Sequence, residues 1–175
     1  MISVQCKSIS ILLLLFLVVA VHAHDGQVNI SGIIQDNTCE LAPDSQSKTV
    51  NMGTVAGAQF SRTGDFSPAK NFTLNLQNCG PAASEATVIF SGTVDAQNPE
   101  LFAIEADADS ASGLALGVYD GDGRRIAPGD TSTGIPLKPG QASVEMKFSA
   151  RYVAVLDSVT AGRANVLVTF VVNYA

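Results

Sequence analysis

The stretch from Gly162 to Ala175 constrains the fold more than any other in this sequence. Val166, Val168, Phe170, Val172 and Tyr174 fall on one face of an extended chain, and Leu167, Thr169, Val171 and Asn173 on the other. Successive side chains of a strand point to opposite faces, and β-branched and aromatic residues suit that pleated surface. No glycine or proline interrupts the run after Gly162. The spacing predicts a strand whose first face is continuously apolar and lies against a core. No turn and no further strand follows it here. Either this is the ordinary last strand of a complete sandwich, or its outer edge is left as a template for pairing with another chain.

The opposite end reads as an export signal. Lys7 supplies a positive start, Ile9 to Val21 is an apolar run, and Val21-His22-Ala23 has the small-residue pattern of a cleavage site. The run is shorter than the roughly 20 residues a membrane-spanning helix needs. Cleavage after Ala23 leaves 152 residues, enough for one domain with its own core. The mature chain carries nine basic and sixteen acidic side chains, a net charge of −7, which argues against nucleic acid or an anionic membrane as partner. Cys6 departs with the signal, so only Cys39 and Cys79 remain. Two cysteines in an exported chain predict one disulfide in an oxidising compartment. At a sequence separation of 40 it stabilises the fold by about 4 kcal/mol on the chain-entropy account.

Between the two ends the alternation recurs. Residues 28–34 place Val28, Ile30, Gly32 and Ile34 on one face, predicting an opening strand in which Gly32 is costly unless a backbone approaches closely. Residues 49–55 predict a weak strand and residues 58–69 a polar loop. Phe72, Leu74 and Leu76 alternate with Thr73, Asn75 and Gln77, a half-buried strand stopped by Gly80-Pro81. Short strands are expected over 87–90 and 114–119, joined by a long connection in which Leu101, Phe102 and Ile104 tuck inward. Asp120-Gly121-Asp122-Gly123 is hairpin-turn chemistry, returning through residues 124–127. Residues 131–140 are a loop. Residues 143–155 form the longest inner strand, with Val144, Met146, Phe148, Ala150, Tyr152 and Ala154 inward. Seven or eight short strands with regular turn signals predict an antiparallel β-sandwich of immunoglobulin-like outline.

The sequence offers little chemistry. The Asp120–Gly123 turn resembles a calcium loop only superficially: position twelve is Thr131, and flanking helices are lacking. Nucleophilic catalysis needs a positioned histidine, and the one mature histidine, His24, stands at the new N-terminus. Glu100, Glu105, Asp107 and Asp109 read as a solvated acidic loop. No catalytic residue, metal site or cofactor is expected. A self-contained secreted carbohydrate-binding module is the alternative, and the absence of tryptophan weighs against it.

Taken together, the two ends resemble the pilin subunits of bacterial chaperone–usher fimbriae of the type 1 kind, most of all the minor tip subunits. A penultimate tyrosine, Tyr174, is matched by a glycine fourteenth from the C-terminus, Gly162. Cys39 and Cys79 look like that family's disulfide, with Cys79 following Asn75-Leu76-Gln77-Asn78. Ser149-Ala150-Arg151-Tyr152 and Phe90-Ser91-Gly92-Thr93 are also similar to family segments.

The resemblance implies an incomplete immunoglobulin-like sandwich, lacking its final strand and preceded by a donor-strand extension. On that reading residues 1–23 are the signal, 24–36 the donor segment and 37–175 the pilin domain. Val166, Val168, Phe170 and Val172 line an acceptor groove, with Gly162 and Tyr174 marking its ends. Val28, Ile30, Gly32 and Ile34 are offered to the groove of the neighbouring subunit. The implied partners are a periplasmic chaperone, an outer-membrane usher and the adjacent pilins, joined head to tail. The implied location is the extracellular fimbrium, reached through the periplasm. The short lead before the opening strand favours a minor tip subunit over the major rod subunit.

Overall fold

The computed structural model describes residues 30–33 and 38–175. The chain divides into two units, Met1–Ile33 and Ile34–Ala175. In the first unit, residues 30–33 lie outside any helix or strand and are exposed. The expected signal segment, and Val28 and Ile34 of the expected opening strand, lie outside the described residues.

The second unit is built almost entirely of antiparallel strands: β1 (Glu40–Leu41), β2 (Lys70–Gln77), β3 (Glu85–Gly92), β4 (Phe102–Ala103), β5 (Leu114–Asp120), β6 (Arg125–Ile126), β7 (Ile135–Pro136), β8 (Ser143–Ala154) and β9 (Val168–Tyr174). A short α-helix, α1 (Pro43–Gln46), follows β1, and a single 3-10 turn spans Gly57–Gln59. Two sheets result. The first runs β1-β2-β8-β5-β4, with β6 also pairing β5, and the second runs β7-β3-β9.

Alternation decides what each sheet buries. Along β8 every second residue from Val144 to Ala154 is buried, as predicted, against Leu74 and Leu76 of β2 and Leu116 and Val118 of β5. Ala86, Val88 and Phe90 of β3 oppose them from the second sheet. Four rings tie the layers together. Phe148 stacks on Phe72 with ring centroids 5.7 Å apart and meets Phe90 edge-on at 5.1 Å; Phe90 in turn lies 6.3 Å from Phe170. Offset and edge-on ring pairs of this kind contribute about 0.5–1.5 kcal/mol each beyond their burial.

Most sheet edges are short or covered. β1, β4, β6 and β7 are two residues each. Beside β1, Ala42 donates its N–H to the Asn75 carbonyl and the Ser45 hydroxyl accepts the Asn75 N–H, so α1 occupies the next stretch of the β2 edge. On the far side of β3, Gly129, Ser132 and Leu137 donate to Phe90, Val88 and Ser84. Short and covered edges are the usual protection against unwanted pairing.

Three local expectations change. No strand forms over residues 49–55: Asn51 Oδ1 accepts the Gly53 N–H, and Gly53 takes φ +71°, which bends the chain. Met52 and Val55 still pack against the core. The 131–140 loop contributes β7, and the connection after β3 contributes β4. The last strand begins at Val168, so Val166 precedes the ladder.

Candidate functional site

β9 is the site, and its neighbours explain why. It pairs residue for residue with β3, from Val168 opposite Gly92 to Tyr174 opposite Ala86. Beyond the ladder, Ala175 donates to Glu85 and accepts from the backbone and hydroxyl of Ser84. Among the described residues no strand pairs its other edge. At seven residues it is the one edge strand longer than a pair.

Its inner face is only half covered. Val168, Phe170, Val172 and Tyr174 pack against the core yet remain partly exposed, as does Val166 before them. Their partners across the ladder, Ala86, Val88 and Phe90, are buried to 4% exposure or less. Full burial of a large apolar side chain contributes about 1.5–3 kcal/mol, so each partly exposed side chain leaves a share of that unrealised. The outer face also carries exposed apolar side chains, Leu167 and Val171.

Both ends of this face are pinned by residues of the domain itself. At the leading end, a Cβ on Gly162 would stand 2.4 Å from the Ala111 nitrogen and 2.6 Å from the Asp109 carbonyl oxygen. Only glycine admits the 109–111 backbone that closely. The two segments then exchange backbone hydrogen bonds, from Arg163 to Asp109 and from Ala111 to Arg163, and Glu105 donates to Asn165. The Tyr152 hydroxyl reaches up from β8 to donate to the Ala164 carbonyl at 2.5 Å. Burial raises the Tyr152 phenol above its ordinary value.

At the trailing end the Tyr174 hydroxyl donates to the Cys39 carbonyl at 3.1 Å. Burial raises its pKa, and the hydrogen bond only partly offsets the rise. Cys39 is bonded to Cys79, as predicted, so the phenol is tied to a residue that the disulfide holds in place. Gly162 and Tyr174 therefore bracket Val166, Val168, Phe170 and Val172. Of the residues expected on the donor segment, Ile30 and Gly32 are exposed and lie in the first unit.

The Asp120 turn is a hairpin connection. Asp120 is buried and accepts the N–H groups of Asp122 and Arg124 and the Thr133 hydroxyl at 2.6 Å. Desolvation pushes its pKa up, but those donors outweigh it and hold the carboxyl below its ordinary value. Among the described residues no three His, Cys, Asp or Glu side chains come together as a metal site. None of the described helices is long and apolar enough to cross a membrane.

Two contributions escaped the sequence. The steric role of Gly162 depends on residues 109–111, some fifty positions away, and no local pattern signals it. The Tyr152 tether was visible only as an inward aromatic on β8.

The fimbrial protein family profile matches residues 28–175. The chain is 41% identical over 153 residues to the uncharacterized fimbrial-like protein YcbV of Escherichia coli K12, covering 87% of each. It is 35% identical to the probable major fimbrial subunit LpfA of Escherichia coli O157:H7, over 90% of this chain and 88% of the relative. Among solved structures, the Burkholderia pseudomallei antigen and type I fimbria protein BPSL1626 superposes with a TM-score of 0.60 at 33% identity, covering 79% of this chain and 90% of that one. The P pilus rod subunit PapA shares the fold, with a TM-score of 0.64 at 18% identity over 78% of this chain and 99% of its own.

Proposed function

This chain belongs to the fimbrial protein family, and we propose that it is joined to its neighbours by β-strands lent from one subunit to the next. It is a structural subunit of a fimbrium, an extracellular fibre, and its relatives are fimbrial subunits rather than enzymes or free carbohydrate-binding modules. The observation that carries the strand-lending reading is the state of β9: a seven-residue edge, unpaired among the described residues, with a half-covered apolar face between two pinned ends.

A strand laid along that edge would complete the backbone ladder and cover Val166, Val168, Phe170 and Val172. Main-chain hydrogen bonds then supply affinity, at about 0.5–1.5 kcal/mol each, and alternate side chains supply specificity. The donor is the mature N-terminal segment, residues 24–36, with Val28, Ile30, Gly32 and Ile34 facing the groove of the next subunit. Gly32 would lie where the neighbour's backbone comes close, which accounts for a glycine inside a strand. Residues 1–23 are removed on export, and residues 37–175 form the accepting domain. Head-to-tail contacts of this kind do not close on themselves, so they propagate into a fibre.

Before assembly the groove needs cover in the periplasm. A chaperone strand fills it first, Gly162 and Tyr174 marking its ends, and an outer-membrane usher exchanges that strand for the next subunit's donor. The short lead before the donor favours a minor, tip-proximal subunit over the major rod subunit.

Appending a copy of residues 24–36 to the C-terminus through a flexible linker tests the reading. The mature chain alone should self-associate or be unstable, and the appended chain should be a stable monomer. A stable monomer without the addition, unimproved by it, would sink the proposal. Separately, Ile30→Asp should block joining to the next subunit while chaperone capture survives; loss of both would place Ile30 in its own domain's core. Labelling intact fibres with an antibody to this chain should mark tips, and uniform labelling along the shaft would make it the major subunit.

A further inference from the structure

On the outer face of the first sheet lies an open cleft of about 320 Å³, in the size range of small-ligand sites. Arg151 of β8 stands at its centre. Its guanidinium carbon is 4.0 Å from the centroid of the Tyr119 ring and 4.9 Å from that of Phe66. Arg151 lies opposite Gly117 in the β5–β8 ladder. A Cβ on Gly117 would come within 2.8 Å of the Tyr119 ring, so this glycine is what lets the ring lie across the sheet. The stack is thus assembled from three elements: β5, β8 and the segment bearing Phe66.

Two rings hold the cation, but no anion answers it. Among the described residues the Arg151 guanidinium has no ion pair and no hydrogen bond, and its Nε is buried without a partner. A guanidinium normally uses its planar fork of N–H donors on a carboxylate or phosphate. The acids nearby are engaged elsewhere: Glu100 pairs with Arg125, and Asp157 accepts from the backbone and hydroxyl of Thr63. Among the described residues the cleft lining holds no acid and two arginines, of which Arg125 is already paired and Arg151 is not, within a chain that is acidic overall. Gln97 and Asn98 line it as well, and their side-chain N–H groups make no hydrogen bond within the described residues. Phe66 is 60% exposed, an unusual position for a phenylalanine that the core does not need.

We propose that this cleft binds a small carboxylate of about monosaccharide size. The carboxylate would meet the unpaired Arg151, Gln97 and Asn98 would meet polar substituents, and the exposed Phe66 ring would cover an apolar flank. The site lies on the first sheet and does not involve β9, so it stands or falls separately from strand lending.

Equilibrium dialysis of the full-length mature chain, in whatever assembly cells export it, tests the proposal. Radiolabelled glucuronate serves as the probe, with glucose as its uncharged counterpart and acetate as a bare competing carboxylate. Expected are saturable uptake of one glucuronate per chain, no saturable uptake of glucose, and displacement by excess acetate. Arg151→Lys keeps the charge but loses the planar fork and should weaken uptake at least tenfold. Lys138→Gln, an exposed cation outside the cleft, should leave it unchanged. The proposal is overturned by absent glucuronate uptake, by equal uptake of glucose, by failure of acetate to compete, or by full uptake in the Arg151→Lys chain. Should that variant not accumulate, the glucose and acetate arms decide the matter on the unaltered chain.

Discussion

β8 and β9 carry the two cleanest alternations in the chain, yet they are buried to very different depths. β8 lies between β2 and β5, and its inward residues from Val144 to Ala154 are all buried. Among the described residues β9 has β3 on one side only, and its inward residues are all partly exposed. The side chains are of the same kind, Phe148 in one and Phe170 in the other, and both rings touch Phe90. Composition therefore does not set the difference; the number of flanking strands does. An apolar face is a demand for cover. In β8 the domain meets that demand, and in β9 a large part is left open.

The strongest check sets Phe148→Ala against Phe170→Ala in denaturant unfolding. The first should cost about 3–5 kcal/mol, as expected for removing a buried ring. The second should cost less, because part of the Phe170 ring is already in water. In a chain carrying the appended donor segment the two costs should converge. Equal costs in the unaltered chain would erase the contrast between the strands.

Next comes Gly162→Ala, which places a methyl against the 109–111 backbone. It should destabilise by about 1–3 kcal/mol, the usual penalty for overpacking, and loosen β9 before β8. Hydrogen exchange would show amides 168–174 losing protection while 144–154 keep theirs; uniform loss would mean that Gly162 supports the whole sandwich.

A smaller effect is expected for Tyr174→Phe, about 0.5–1.5 kcal/mol for one lost hydrogen bond to Cys39. Tyr152→Phe makes the matching cut from the β8 side, at the Ala164 carbonyl. The pair can also be read through pH. Both phenols have folded pKa values raised by burial, Tyr152 and Tyr174 alike. A raised phenol pKa favours the neutral, folded form, so its contribution is complete below about pH 10 and is lost as pH climbs through the folded value. Each Phe variant should blunt the alkaline fall in melting temperature. An unchanged alkaline limb in the double variant would assign that loss to other groups.

Much of this was legible beforehand because it is local. Period-two patterning found β2, β5, β8 and β9, and Asp120–Gly123 announced its hairpin. The disulfide followed from counting cysteines in an exported chain. What stayed hidden depends on distant partners. Residues 49–55 have the apolar content of a strand, but the Asn51–Gly53 turn bends them away. Gly162 was expected as one end of the acceptor groove, but the backbone of another loop that requires a glycine there could not be read from the sequence. Arg151 falls on the face of β8 opposite the predicted core, and no local pattern marks it as part of a cleft. That Tyr119 and Phe66 would close on it could be seen only once β5 and the 61–69 segment had been brought beside it.

Cys39 deserves a last thought, because it works at two atoms. Its sulfur is bonded to Cys79, and its carbonyl receives the Tyr174 phenol. The oxidation of one thiol pair near the front of the chain is thereby felt at the final strand. A polypeptide still in its dithiol form would hold that strand's tail by a slacker anchor.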